Sequence, residues 1–189
     1  MTSIDVSAIL AAVHAWVVAG SGLAAGRVLW EEQRQRKAIA IPDGPWISLR
    51  IRGVGRVGRD WIKNETNPAP TAGAEIVRRV QGLRQVALEI RMYGGDVGAS
   101  VGVLDGVVTA SVLPAVAAGL RAAKVGVGQA SSATSADGYV GAAKVFEPRA
   151  SLDVTLFVPS ELVGTDTNIA HVTITSDDST ATVDAPALP

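Results

Sequence analysis

The sequence predicts an α+β fold, with a mixed, mostly antiparallel sheet and two main helices packed on one of its faces. Apolar and polar residues alternate in three segments, as they do in half-buried strands. These segments are residues 46–52, 86–93 and 149–158. Two apolar stretches with helical spacing, at residues 6–17 and 97–110, supply the helices. The alternation predicts that one face of the sheet is exposed to solvent, which is typical of antiparallel sheets.

The first helix is predicted to begin at Ser3, a good N-cap, and to end at Gly20 and Gly22. One face of this helix carries its apolar residues: Val6, Ile9, Leu10, Val13, Trp16 and Val17. His14 lies at the border of that face. We expect it to be a partly exposed surface residue, because it has no neighbouring carboxylates at the spacing of metal ligands.

The strand that begins at Trp46 places Arg50 and Arg52 on the wetter side of the sheet. We expect both to face Glu89 and Arg91 on a neighbouring strand. The preceding segments are a short strand at 27–30, a polar loop at 31–37 and a turn at 42–45.

Residues 53–81 are rich in glycine, proline, asparagine and charge, and they predict a long loop. The candidate interaction residues of this loop are Arg56, Arg59, Trp61, Lys63, Arg78 and Arg79. We expect the loop to face the lumen of an assembly or to bridge subunits. Residues 53–58 also match G-x-G-x-x-G, but no apolar helix follows them to hold a pyrophosphate. A flexible glycine loop is therefore the favoured interpretation.

The second helix is predicted to follow Asp96 as N-cap and to carry a stripe of small residues. These are Gly98, Gly102, Gly106 and Ala110. Because glycine weakens a helix by about 1 kcal/mol, the stripe predicts close approach of another backbone. The run 97–120 is long enough to span a bilayer, but its central Asp105 would be costly in lipid. We expect a buried helix, a second short helix from Pro114, and no membrane partner.

The C-terminal part predicts strands at 122–130, 149–158 and 169–175, with a break at Pro159. A single domain is therefore expected over residues 1–175. Residues 176–189 are polar, acidic and rich in proline at their end, and they predict a flexible tail.

Composition gives no support for an enzyme. Cysteine is absent, so thiolate metal sites and cysteine nucleophiles are excluded. His14 and His171 are the only imidazoles, and no G-x-S-x-G motif is present. We therefore expect no catalytic residue, no cofactor and no metal site. A soluble enzyme or nucleotide-binding module at residues 53–58 is the less favoured alternative.

Charge is unevenly distributed along the chain. Residues 27–91 hold thirteen Lys and Arg against seven Asp and Glu, whereas residues 92–189 hold four against ten. This polarity suits subunits that meet through opposite faces, unless the two halves interleave in one fold and the asymmetry vanishes.

Several short strings and the order of the elements resemble the neck or tail terminator proteins of long-tailed bacteriophages. The likeness covers about residues 4 to 158, and the segment 53–81 and the acidic tail depart from it. The strings that carry it are Trp16, residues 21–23, 28–33, 45–50 and 85–93, and the arginine-led strand within 146–154.

The resemblance implies a structural protein of the virion, assembled in the host cytoplasm. Such proteins form a homo-oligomeric ring, often a hexamer, that caps the tail tube and joins it to the head connector or adaptor. DNA passes through the lumen without sequence-specific binding. Another head–tail connector, an adaptor or a tail completion protein is the alternative, which the sequence leaves open.

Overall fold

The computed structural model describes residues 6–32, 39–69, 76–96, 98–140, 145–166, 171–176 and 179–184. The described residues do not include Ser3, most of the predicted loop 31–37 or the last five residues of the predicted tail. The helices are α1 (Val6–Ser21), α2 (Ala99–Ala110) and α3 (Pro114–Ala122), with a 3-10 turn at Ala25–Arg27. The strands are β1 (Val28–Trp30), β2 (Trp46–Thr66), β3 (Ile76–Tyr93), β4 (Gly126–Ala130), β5 (Thr134–Ser135), β6 (Gly138–Val140), β7 (Val145–Glu147), β8 (Arg149–Asp166), β9 (His171–Ser176) and β10 (Ser179–Asp184).

The main sheet has the strand order β1-β2-β3-β8-β4, and β5 also pairs with β8. β1 runs parallel to β2, whereas β4 and β5 run antiparallel to β8. β6 with β7, and β9 with β10, form separate antiparallel hairpins. The predicted α+β class with a mixed, mostly antiparallel sheet is confirmed.

The chain divides into two compact units. The body comprises Ile4–Arg59 and Gly82–Ser160, and the extension comprises Met1–Ser3, Asp60–Gln81 and Glu161–Pro189. The single domain predicted over residues 1–175 therefore contains parts of both units.

The core of the body lies between the helices and one face of the sheet. Alternate residues of β2, β3 and β8 point into it, because successive side chains of a strand point to opposite faces. The buried sheet residues are Ile47, Leu49, Val86, Leu88, Ile90, Met92, Ala150, Leu152, Val154, Leu156 and Val158. Val13, Trp16, Val17, Leu104, Val107 and Leu120 cover them from the helices.

Glycine allows α1 and α2 to approach closely. A Cβ on Gly20 would lie 2.5 Å from Val107 Cα, and one on Gly106 would lie 3.0 Å from the carbonyl oxygen of Gly20. The buried indole Nε1 of Trp16 donates a hydrogen bond to the Val107 carbonyl at 2.8 Å. The expected backbone approach is confirmed at Gly106, whereas a Cβ on Gly102 would meet open space.

The predicted long loop at residues 53–81 is wrong, because residues 53–66 belong to β2 and residues 76–81 to β3. The prediction followed glycine and charge, and these residues are also compatible with an edge strand, where charge limits aggregation. Gly58 has a φ of +68° within β2, the conformation of a glycine bulge.

Three smaller predictions also need correction. The break at Pro159 is absent, since β8 runs on to Asp166, and the predicted flexible tail contains β10, which pairs with β9. The N-cap of α2 is Gly98 and not Asp96, because the helix begins two residues later than its apolar pattern suggested. The strand predicted over 122–130 begins only at Gly126, since α3 continues to Ala122.

Candidate functional site

One face of the extension carries a network of paired charges. Arg79 donates from Nε to Glu65 Oε2 at 3.0 Å and from Nη1 to Glu161 Oε1 at 3.2 Å. Gln81 Nε2 donates to the same Glu161 oxygen at 3.0 Å, and the Lys63 ammonium pairs with Glu65. These charges therefore largely neutralise one another.

The network shifts two pKa values. Hydrogen bonds from Lys63 and then Arg79 lower the pKa of Glu65. Hydrogen bonds to Glu65 and then Glu161 raise the pKa of Arg79. Both shifts favour the charged forms, so the network persists at neutral pH.

We call the other face of the extension its apolar face, because it exposes the aliphatic side chains of Ile62 and Leu162 beside polar residues. Arg78 Nε reaches Asn64 Oδ1 at 3.4 Å, which places both side chains on the face opposite the charge network. Ile62 precedes Asn64 by two residues and therefore shares its face, as does Leu162, the neighbour of Glu161. Ile62 is 58% exposed and Leu162 is 52% exposed. Two large aliphatic side chains thus remain in water.

The extension has no core among its described side chains. None of those at 60–69, 76–81 and 161–164 is buried, and Trp61 is 58% exposed. A small sheet without a covered apolar face is only marginally stable in water. Large aliphatic side chains that stay exposed on one face of such a sheet make this face a candidate interaction surface.

The open face of the body carries a second charged cluster. Arg91 Nη2 donates to Glu89 Oε1 at 2.7 Å, and Arg52 Nη1 lies 3.8 Å from the same oxygen and 3.9 Å from Asp153 Oδ1. Glu89 is only 4% exposed, and its Oε2 has no hydrogen-bond partner among the described residues. The expectation that Arg52 faces Glu89 is confirmed.

A shallow depression of about 390 Å³ lies beside this cluster, with Ala87 among its lining residues. Its polar lining comes from Arg52, Gln129, Ser131, Asp153 and Thr155. Within the described ranges, no group of three His, Asp or Glu side chains is arranged to hold a metal ion. The depression can therefore contribute hydrogen bonds and ion pairs to a contact.

The six candidate residues from the sequence are divided between the two units. Arg56 and Arg59 lie on the body part of β2, whereas Trp61, Lys63, Arg78 and Arg79 lie in the extension. Lys63, Arg78 and Arg79 hold polar or acidic partners within the chain, and Trp61 stays exposed.

The G-x-G-x-x-G segment forms no dinucleotide loop. β2 continues through residues 53–58 to Thr66, so no helix N-terminus follows the glycines to hold a pyrophosphate. His14 is partly buried, and its Nε2 lies 2.9 Å from the Val28 carbonyl oxygen. It therefore has a structural contact, and the expectation that His14 is partly exposed is confirmed.

An aromatic stack that was not predicted from the sequence lies at one end of β2 and β3. Trp46 and Tyr93 stack with ring centroids 4.4 Å apart, and the Arg149 guanidinium lies 5.3 Å from the Tyr93 centroid. Trp46 begins β2 and Tyr93 ends β3, so antiparallel pairing of these two strands would have predicted the contact.

Of the described helices, none is by itself long and apolar enough to cross a membrane. α2 and α3 reach that length and composition only together, with a bend of 67° between them. The chain matches no family model and no curated protein sequence at a significant level.

Proposed function

We propose that the chain is a structural virion protein of the phage neck or tail terminator type, which acts by assembling into a homo-oligomeric ring. The ring caps the tail tube, joins it to the head connector or adaptor, and lets DNA pass through its lumen without sequence-specific binding. It is assembled in the host cytoplasm, and its mechanism requires no catalytic residue and no cofactor.

The observation that supports this proposal most directly is the apolar face of the extension. Ile62 and Leu162 stay exposed, although the opposite face satisfies its charges within the chain. Burial of a large aliphatic side chain contributes about 1.5–3 kcal/mol, so covering these half-exposed residues contributes roughly half of that each. In a ring, a second copy of the chain would cover these exposed side chains.

The proposal is tested by the concentration dependence of the oligomeric state. Analytical ultracentrifugation of the purified chain should show a closed oligomer, and negative-stain micrographs should show rings. Ile62→Asp and Leu162→Asp should each weaken assembly by roughly tenfold or more, since a charge replaces buried apolar area. The matched control is Val112→Asp, a change at an apolar residue of the body that is 77% exposed.

The outcome that contradicts the proposal is a chain that stays monomeric at all concentrations. A terminator is separated from a connector, adaptor or tail completion protein by the partner that the ring binds. Purified tail tubes should be capped by a terminator and should stop growing. Binding to head connectors alone would favour the alternative role.

A further inference from the structure

Over most of its length, the outer edge of β2 has no described strand beside it. β1 is the only described strand on that edge, and it pairs only with Ile47, Ser48 and Leu49. The residues of β2 from Arg50 to Thr66 therefore have β3 on one side and no described strand on the other. Unpaired backbone groups at such an edge are a template for another strand.

The outer edge of β8 likewise lacks a described neighbour in its C-terminal part. β4 and β5 pair with β8 only up to Phe157. From Val158 to Asp166, β8 has β3 on its inner side and no described strand on its outer side. Within the extension, the parts of β2, β3 and β8 thus form a three-stranded section with no described strand at either outer edge, while β9 and β10 pair with each other in a separate sheet.

The two open edges run in the same direction. Ser160 of β8 bonds to Gly82 of β3, and further along β8 Glu161 meets Arg79, so β8 is antiparallel to β3. Arg52 meets Glu89 and Asn64 meets Arg78, so β2 is also antiparallel to β3. β2 and β8 are therefore parallel to each other.

The open edges within the extension also match in length. Gly58 has a positive φ, which is typical of a glycine bulge, just before the extension begins at Asp60. This leaves residues 60–66 on one edge and 161–166 on the other. The two segments can form a ladder of about six residue pairs.

We propose that the β2 edge of one copy pairs in parallel with the β8 edge of the next copy. This inference rests on the proposed function and specifies its interface. The contact is heterologous, because two different edges meet, and repetition of such a contact closes into a ring or continues as a filament. Closure covers both outer edges of the β2-β3-β8 section and places the Ile62 and Leu162 side chains of adjacent copies on one continuous face.

Because the chain contains no cysteine, the pairing can be tested by cross-linking on a clean background. Asn64→Cys lies on β2 and Leu162→Cys lies on β8, and both side chains share the apolar face. Each variant is first shown to assemble like the natural chain. The variants are then treated with a short bismaleimide, singly and mixed, because its spacer tolerates a small offset in register.

The proposal expects covalent dimers only when the two variants are mixed. A single chain carrying both cysteines should give a ladder of covalent multimers that ends at the ring size. Val112→Cys mixed with Asn64→Cys is the matched control and should give no dimer, since residue 112 lies in the turn between α2 and α3.

The other outcomes separate the two proposals. Covalent dimers of Asn64→Cys alone would show a symmetric β2–β2 contact and overturn the head-to-tail pairing. A ring that assembles but gives no cross-link between the mixed variants would overturn the edge pairing and leave the proposed function standing. A strictly monomeric natural chain would overturn both.

Discussion

Gly20→Ala tests the packing of α1 on α2. The added Cβ would lie 2.5 Å from Val107 Cα, 3.0 Å from Ala110 Cβ and 3.2 Å from the carbonyl oxygen of Gly106. Two of these three atoms belong to backbone, so no side-chain rotation relieves the clash and the helices must separate. Separation also strains the hydrogen bond from Trp16 Nε1 to the Val107 carbonyl.

The magnitude follows from three contributions. Overpacking of a well-packed core costs about 1–3 kcal/mol. Weakening the indole hydrogen bond adds about 1 kcal/mol. Alanine has a higher helix propensity than glycine, and this offsets about 1 kcal/mol of the destabilisation. We therefore expect Gly20→Ala to lower the free energy of unfolding by about 1–3 kcal/mol, measured by urea denaturation followed by circular dichroism.

Gly102→Ala is the matched control. It makes the same substitution in α2, at a position where a Cβ meets nothing within 4 Å. It should raise the free energy of unfolding by about 0.5–1 kcal/mol. If Gly20→Ala proves as stable as Gly102→Ala, the close helix contact is wrong.

Three further predictions concern single side chains. Trp16→Phe keeps most of the buried ring but removes the donor to the Val107 carbonyl, so the free energy of unfolding should fall by about 1–2 kcal/mol in the same urea assay; an unchanged value would contradict the hydrogen bond. Glu89→Ala leaves Arg91 without its 2.7 Å partner, so the free energy of unfolding should fall by about 1–3 kcal/mol, measured by thermal unfolding. Glu31→Ala removes an exposed ion pair of 3.9 Å with Arg50, and this control should lower the same quantity by less than about 1 kcal/mol. Hydrogen bonds from the Ser135 hydroxyl and the Arg149 amide lower the pKa of Asp137 in the folded chain. The contribution of Asp137 to the free energy of unfolding is therefore present above the unfolded pKa, about 3.9, and is lost as the pH falls through the lower folded pKa. Asp137→Asn should flatten the dependence of stability on pH in this range, and parallel pH profiles for the two proteins would refute the assignment.

The sequence could predict the strands of the body because one of their faces is buried. In β3, Leu88 and Ile90 enter the core while Ala87 and Arg91 stay exposed, and this alternation is visible in the residues themselves. The same alternation predicts that Arg52 and Glu89 share one face of the sheet.

The extension could not be predicted in this way, since none of its described side chains is buried and its strands therefore lack an alternating apolar pattern. Glycine and charge between residues 53 and 66 are typical of loops, yet the pairing of β2 with β3 makes this segment a strand. Arg79 pairs with Glu161, which lies 82 positions further along the chain, and no local sequence pattern predicts a contact over that separation.

The sequence by itself determined the α+β class, the buried face of the body and the small-residue contact of α2, because each leaves a periodic trace along the chain. Only the tertiary structure decided that residues 53–66 and 76–81 are strands, that Gly20 is the partner of Gly106, and that β2 and β8 have no described strand at their outer edges in the extension. These features depend on contacts between residues far apart in sequence, and such contacts exist only once the chain has folded.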